Sequence, residues 1–301
     1  VVAMMIAATR NLIGAANWSA TRVAEDISLR TEREKSRFNG RELAGKRLAV
    51  IGIGHVGSLV AKAALALGME VIGYDPYLSV DDAWQLPAQI KRAASLEEVV
   101  AGADLITVHV PKNEETSGLI DAALLAKVKT GAILLNYARL GIVDNQAVVA
   151  ALKAGRLGQY VTDFGKACLK DQSKVTITPH LGGSTKEAEI NCAKMAAREL
   201  THFLETGNTT NAVNLPDLSA PFTSQHRFTL IHRNIPNMLG QISTAIAQAG
   251  VNIDNLVNRA EGDYAYTLVD VGTLAPATAH QLVASLEAIP AVSRVRLLDR
   301  P

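Results

Sequence analysis

Several things are scarce in this 301-residue chain, and each scarcity excludes something. Aromatic residues make up only 4% against 48% hydrophobic, so the apolar weight lies in aliphatics and alanine, a balance common in α/β enzymes. Only two cysteines occur, Cys168 and Cys192, in no metal-ligand spacing; they form no disulfide framework and point to a reducing, cytoplasmic setting. Neither sign of charge is in excess, and a net +1 supplies no basic field for nucleic acid, so an anionic ligand must be held by local groups. No apolar run is long enough to span a membrane. The opening VVAMMIAATRNLIGAA is interrupted by Thr9, Arg10 and Asn11 and has no basic segment before it, which also argues against a signal peptide. It reads as a helix buried at a subunit or domain contact. The chain opens on Val1 in mid-helix, so a segment upstream is expected.

What is present centres on Arg47 to Asp75, RLAVIGIGHVGSLVAKAALALGMEVIGYD. Leu48 to Ile51 is a short apolar run of the kind that forms a buried parallel strand, and it runs straight into Gly52, Gly54 and Gly57. In a dinucleotide-binding βαβ unit these glycines make the tight turn, admit the pyrophosphate and allow close helix packing. A helix from Val56 would turn its free N–H groups and positive dipole end toward the phosphates. Met69 to Tyr74 is the next strand, and Asp75 at its tip can accept hydrogen bonds from a ribose diol. A 2'-phosphate there would be repelled, so NAD is preferred over NADP.

Beyond Asp75 the pattern alternates between strand and helix, which calls for right-handed crossovers and a doubly wound parallel sheet of the Rossmann kind. Its ligand crevice lies at the carboxyl ends of the strands. Unusual residues collect there: His109-Val110-Pro111, Asn136-Tyr137-Ala138-Arg139, Asp163 and Thr178-Pro179-His180. Arg22 to Arg47 is densely charged; it reads as a solvated connection, or as a source of Lys35 or Arg37 for an anionic substrate. A long helix from Ser184 to about Glu205 follows, and Arg227 onward reads as a ferredoxin-like βαββαβ unit. The expected division is an NAD-binding domain over 1–182, a returning helix over 183–213, a linker over 214–225 and a small βαββαβ domain over 226–301.

Oxidising an alcohol with NAD needs a base for the hydroxyl proton and a cation for the neighbouring carboxylate. Arg139 offers a permanently charged two-pronged donor, and His180 a group that titrates near neutrality. Singly, each also reads as structural: a helix-start salt bridge, or a satisfied polar residue after a strand. Together at one sheet edge they point to chemistry. His109 is expected to border the cofactor, and His55 to matter through its backbone.

The segments IGIGHVG, YDPY, HVP, NYARLGIVD, YVTDF and TPHLGGST, in this order, resemble the D-2-hydroxyacid dehydrogenases. With the terminal unit, the chain is most similar to the branch that oxidises 3-phosphoglycerate at the head of serine synthesis. The resemblance implies that Arg139 and His180 are catalytic and that Asp75 holds the adenosine ribose. It implies cofactor contacts from Gly52, Gly54, His55, Val56 and Gly57, from Val110, Pro111 and Thr116, and from Ala138, Asp163 and Gly182. It implies a homodimer or homotetramer with the opening helix at a dimer contact. The last unit resembles an ACT domain, and His232, Asn234 and Asn252 match residues that hold a serine effector, although the asparagines read equally as caps of a turn and a strand.

Two departures bear on activity. The family's glutamate that orients the catalytic histidine falls on Ala167, to within one residue, and neither Ala167 nor Cys168 can replace it. The histidine is therefore expected to lack carboxylate support, with weak turnover that a glutamate at 167 would raise. Leu140 is a milder departure, from glycine. The second is the absent upstream segment, which would build most of a substrate domain. Dehydrogenation of another D-2-hydroxy acid, and a catalytically silent NAD- and amino-acid-binding regulator, remain the other readings.

Overall fold

The computed structural model describes residues 1–21 and 27–301, so part of the charged stretch, residues 22–26, lies outside the described residues. The chain divides into two compact units, Val1–Gly182 and Gly183–Pro301.

The opening stretch of the first unit forms two helices, α1 (Val2–Thr9) and α2 (Leu12–Ala20), where the periodicity suggests one. The break is at Asn11, whose φ of 51° is left-handed, a conformation asparagine tolerates better than most residues. Met5 of α1 is fully buried against Leu48, Val50 and Val161, whereas α2 buries no residue and leaves Leu12 and Ile13 exposed. The charged stretch is helical in its second part, as α3 (Ile27–Glu34) and a 3₁₀ turn over Lys35–Phe38. Lys35 pairs with Glu32 at 2.6 Å and Arg37 with Glu34 at 2.5 Å, so both cations are engaged within the segment.

There follow β1 (Arg47–Ile51), α4 (His55–Ala66), β2 (Glu70–Tyr74), α5 (Val80–Trp84), β3 (Lys91–Arg92) and α6 (Leu96–Val100). The unit continues with β4 (Leu105–Val108), α7 (Ala122–Leu125), β5 (Ala132–Asn136), α8 (Asn145–Lys153), β6 (Leu157–Thr162) and β7 (Val175–Ile177). Among the described residues these strands form one sheet in the order β3-β2-β1-β4-β5-β6-β7, parallel throughout. It is a Rossmann-like sheet. Apolar side chains go to both faces, as a sheet covered by crossover helices requires: Ala49, Ile51, Val108 and Leu134 pack on one side, Leu48, Val50, Leu105 and Leu135 on the other. The chain reverses its direction of travel across the sheet between the neighbours β1 and β4, which opens a crevice at their carboxyl ends.

The second unit begins with α9 (Lys186–Thr206), stopped by Gly207 at a φ of 73°. Then come β8 (His226–Arg233), α10 (Met238–Gln248), β9 (Ile253–Glu261), β10 (Tyr264–Val271), α11 (Pro276–Glu287) and β11 (Val292–Asp299). The strands form an antiparallel sheet in the order β11-β8-β10-β9, the βαββαβ arrangement. One face, with Phe228, Leu230 and Val269, packs on Ile242, Ile246 and Leu282 of the two helices. The other face, with Tyr266 and Leu268, is covered by Leu218, Ala220 and Phe203.

The segment that reads as a linker is therefore seated on this second face. Arg227, 0% exposed, holds it there. Its Nε and Nη2 grip the Asp270 carboxylate at 2.5 and 2.8 Å, while Nη1 and Nη2 donate to the carbonyls of Thr206, Ala220 and Pro221 and to Asn208 Oδ1. The ring of Phe222 lies 4.4 Å from the guanidinium carbon.

Candidate active site

The glycine turn is built by backbone geometry. Gly52 has a φ of 88°, which favours glycine, and a side chain there would meet the His109 carbonyl carbon at 2.9 Å. A Cβ on Gly57 would stand 2.0 Å from Gly52 O, so α4 can rise this close to the turn only from a glycine. Gly54 has open space where a Cβ would be, and α4 starts there without a side-chain cap. Uncapped N–H groups beside an open approach are what a pyrophosphate requires, and the turn fits that group. His55 and Val56, at the helix start, are exposed.

Asp75 stands one residue beyond β2. Its Oδ2 accepts the Ile53 N–H at 2.9 Å and its Oδ1 the Tyr77 N–H at 3.0 Å, so it ties the glycine turn to the next loop while each oxygen keeps a lone pair for a hydroxyl. A cleft of about 630 Å³ opens over this edge, lined by Gly52, Gly54, Asp75, Val110, Pro111 and Thr116. Two residues that sequence reasoning passed over line it as well, Tyr77 and Glu115, and the Tyr77 hydroxyl donates to Glu115 at 2.5 Å, raising the phenol above its ordinary range. Thr116 shapes the wall by donating to Pro111 O at 2.6 Å and accepting the Asn113 N–H at 2.9 Å. His109 also lines the cleft, with Nε2 2.9 Å from Thr107 Oγ1. Burial pushes His109 down to about 4, too weak a base for proton transfer near neutrality.

Farther along the same edge, Asn136 closes β5. Its Oδ1 accepts the Ala138 N–H at 3.2 Å and its Nδ2 donates to Arg139 O at 3.3 Å, bracketing the turn that presents Arg139. The signal was legible, because asparagine at a strand end commonly bonds the backbone two residues on. Arg139 is exposed, and the 2.8 Å bond from its Nη1 to Ala138 O leaves most of its donors available.

Asp163 follows β6, and its side chain is 2% exposed. His180, 56% exposed in its side chain, follows β7 with Nδ1 2.9 Å from Asp163 Oδ2. The expectation that this histidine lacks a carboxylate partner is corrected here, because β6 and β7 are neighbours and their carboxyl ends meet. Arg139 and His180 follow β5 and β7, which lie two strands, or roughly 10 Å, apart in the sheet. Gly182 is exposed at the end of the unit.

The three residues expected at an effector site are not brought together in one chain. His232 pairs with Ala265 at one end of β10, and Asn252 precedes Ile253, which pairs with Val271 at the other. Six residues of strand separate these ends by roughly 20 Å. His232 is buried, with Nδ1 donating to Arg233 O at 2.9 Å and Nε2 2.8 Å from Thr267 Oγ1. Asn234 donates to Gly262 O at 3.2 Å.

Comparison with known proteins settles the lineage. The family description "D-isomer specific 2-hydroxyacid dehydrogenase, NAD binding domain" matches residues 2–182, more than half of the chain. This chain belongs to the D-2-hydroxyacid dehydrogenase family. As in that family's NAD-binding domain, its cofactor is NAD. A D-3-phosphoglycerate dehydrogenase of Synechocystis is 35% identical over 239 residues, which is 77% of this chain and 42% of that protein. Another, of Haemophilus influenzae, is 33% identical over 276 residues, 88% of this chain and 65% of the relative. D-Mandelate dehydrogenase of Rhodotorula graminis shares the fold at a TM-score of 0.61 and 25% identity, over 72% of this chain and 64% of that one. The chain thus spans about two fifths to two thirds of the length of these D-2-hydroxyacid dehydrogenases. Among the described residues, no helix is long and apolar enough to cross a membrane.

Proposed function

We propose that the chain carries the cofactor and proton-transfer machinery of an NAD-dependent D-2-hydroxyacid dehydrogenase, and that its substrate is 3-phosphoglycerate, oxidised at C2 in L-serine synthesis. The observation that carries this reading is the single sheet edge. Asp75, the glycine turn, Arg139 and His180 follow strands of one parallel sheet at their carboxyl ends, in the lateral order β2, β1, β5, β7. The substrate follows the names of the relatives at 31–37% identity.

When bound, NAD supplies the hydride acceptor. Arg139 grips the substrate carboxylate with its planar fork and polarises the developing C2 carbonyl. His180 Nδ1 is occupied by Asp163, so Nε2 is the nitrogen that takes the hydroxyl proton in oxidation and returns it in reduction. Thr116 and Ala138, together with Asp163, line the nicotinamide side, and Asp75 holds the ribose.

The βαββαβ unit is proposed to be an ACT domain that binds an amino acid such as L-serine. Because Asn234 and Asn252 lie at opposite ends of the sheet, a site using both takes one from each of two copies, which implies a homo-oligomer. His232 enters that site only by giving up its bonds to Arg233 and Thr267. Exposed Leu12 and Ile13 on α2 suit a second contact between copies. The free thiols Cys168 and Cys192 suit a reducing cytosol.

The test is NADH formation from 3-phosphoglycerate and from a panel of other D-2-hydroxy acids, with and without L-serine. Preferred turnover of 3-phosphoglycerate, suppressed by serine, is the expected result. Turnover of a different hydroxy acid overturns the substrate, and NAD binding with no turnover of any overturns the enzyme in favour of a silent regulator.

A further inference from the structure

A histidine that takes a proton from an alcohol works best beside a carboxylate that fixes its tautomer and stabilises the cation it becomes. The family pattern points to position 167 for that carboxylate, and nothing there can serve: Ala167 is exposed on the 3₁₀ turn Ala167–Leu169, and Cys168 packs against the apolar core. A carboxylate reaches His180 from a different element. Asp163 Oδ2 lies 2.9 Å from Nδ1, and the aspartate side chain is 2% exposed against 56% for the histidine.

Three further observations show that the aspartate is the fixed member of the pair. Thr162 Oγ1 donates to Asn136 O at 3.0 Å and accepts the Phe164 N–H at 3.1 Å, which pins the backbone on both sides of Asp163 to the end of β5. The ring of Phe164 lies against the imidazole, with centroids 5.1 Å apart. Asp163 Oδ1 is buried with no hydrogen-bond partner among the described residues. A buried carboxylate is costly without compensation, and here the bond to His180 is the one that supplies it. The Tyr137 and Tyr160 phenols also sense Asp163, and burial raises both, so they stay neutral near physiological pH.

The geometry points to Asp163 as the positioning residue of His180, taking the part that a glutamate near position 167 plays in the family. This rests on the reading of His180 as acid and base. In oxidation the substrate O–H bond would break toward Nε2 as the C2–H bond breaks and the carbonyl forms, for which NAD, when bound, would accept the hydride. The Nδ1 proton stays on the ring, held by Asp163 Oδ2.

Asp163→Asn, which keeps the shape and removes the charge, tests this together with Asp163→Glu and Ala167→Glu in the whole chain. The readouts are the pH profile of kcat/KM, the ¹⁵N shifts of His180 without substrate, and NADH binding. D163N is expected to lower kcat by roughly 10²-fold or more, to move the acid limb of the oxidative profile to lower pH, and to lose the single Nδ1–H tautomer. D163E is expected to recover part of each, and A167E in the native background to leave the limb in place. An unmoved limb and an unchanged tautomer in D163N overturn the inference, as does a gain in kcat from A167E. If the native chain turns over no hydroxy acid, the functional reading fails on its own, and the tautomer still decides whether Asp163 positions His180.

Discussion

In the first unit the polar side chains beyond the strand ends keep donors and lone pairs free, while in the second unit they are consumed. Arg139 spends a single nitrogen on its own turn, and His180 leaves more than half of its side chain exposed. Arg227, at 0% exposure, uses all three of its nitrogens, and both ring nitrogens of His232 are engaged. The same residue types keep bonding capacity in one sheet and spend it in the other. A site must hold its groups in place and still leave bonding capacity unspent; a clamp must spend all of it.

The largest effect should come from breaking the clamp. Arg227→Met strands Asp270 as an uncompensated buried charge and releases the carbonyls over 206–221, so the second unit should lose about 3–5 kcal/mol in denaturant unfolding. NADH binding by the first unit should stay within about twofold if the contrast holds. Replacing Asp270 by an apolar residue as well should restore much of the loss.

Arg139→Ala should do the opposite. Its exposed side chain supports no core, so stability should change by less than about 0.5 kcal/mol, while kcat/KM for the hydroxy acid falls roughly 10²- to 10³-fold. A destabilised Arg139→Ala protein with intact kcat/KM would erase the distinction between the two sheets.

His109 lies between the two cases, at the cleft but buried enough to be held at about 4. Above an ordinary histidine value of about 6.5 neither the folded nor the unfolded chain protonates it, and its contribution is constant. Between about 6.5 and about 4 the unfolded chain takes a proton that the folded chain refuses, so stability falls as pH drops through that window and levels off below it. The loss is at most about 3 kcal/mol, and His109→Gln should remove that part of the pH dependence of urea unfolding.

The smallest effect is expected at Tyr77. Its bond to Glu115 is exposed and spans two loops of the NAD cleft, so Tyr77→Phe should weaken NADH binding less than about threefold in a fluorescence titration.

Much of the first unit is legible residue by residue. The glycine turn and Asp75 can be read because their partners lie within one βαβ unit, where spacing along the chain is close to spacing in space. The break at Asn11 and the bracket that Asn136 places around Arg139 are also local, and asparagine's backbone chemistry carries both signals. Other features were beyond reach. Asp163 reads as a cofactor neighbour and His180 as a base without support, although Oδ2 and Nδ1 are 2.9 Å apart. Residues 214–225 read as a linker because prolines and weak periodicity mark any irregular segment, whether it hangs free or lies under an arginine on a strand 43 residues from its acid.

The sequence by itself determined the strand and helix alternation, the cradle for NAD and the family, since each follows from patterns that repeat over a few residues. Only the tertiary structure decided which carboxylate supports His180, which face the irregular segment covers, and that Asn234 and Asn252 stand at opposite ends of one sheet. Those depend on which strand lies beside which and in what register, and side chains of this chemistry carry no record of the neighbour they will meet.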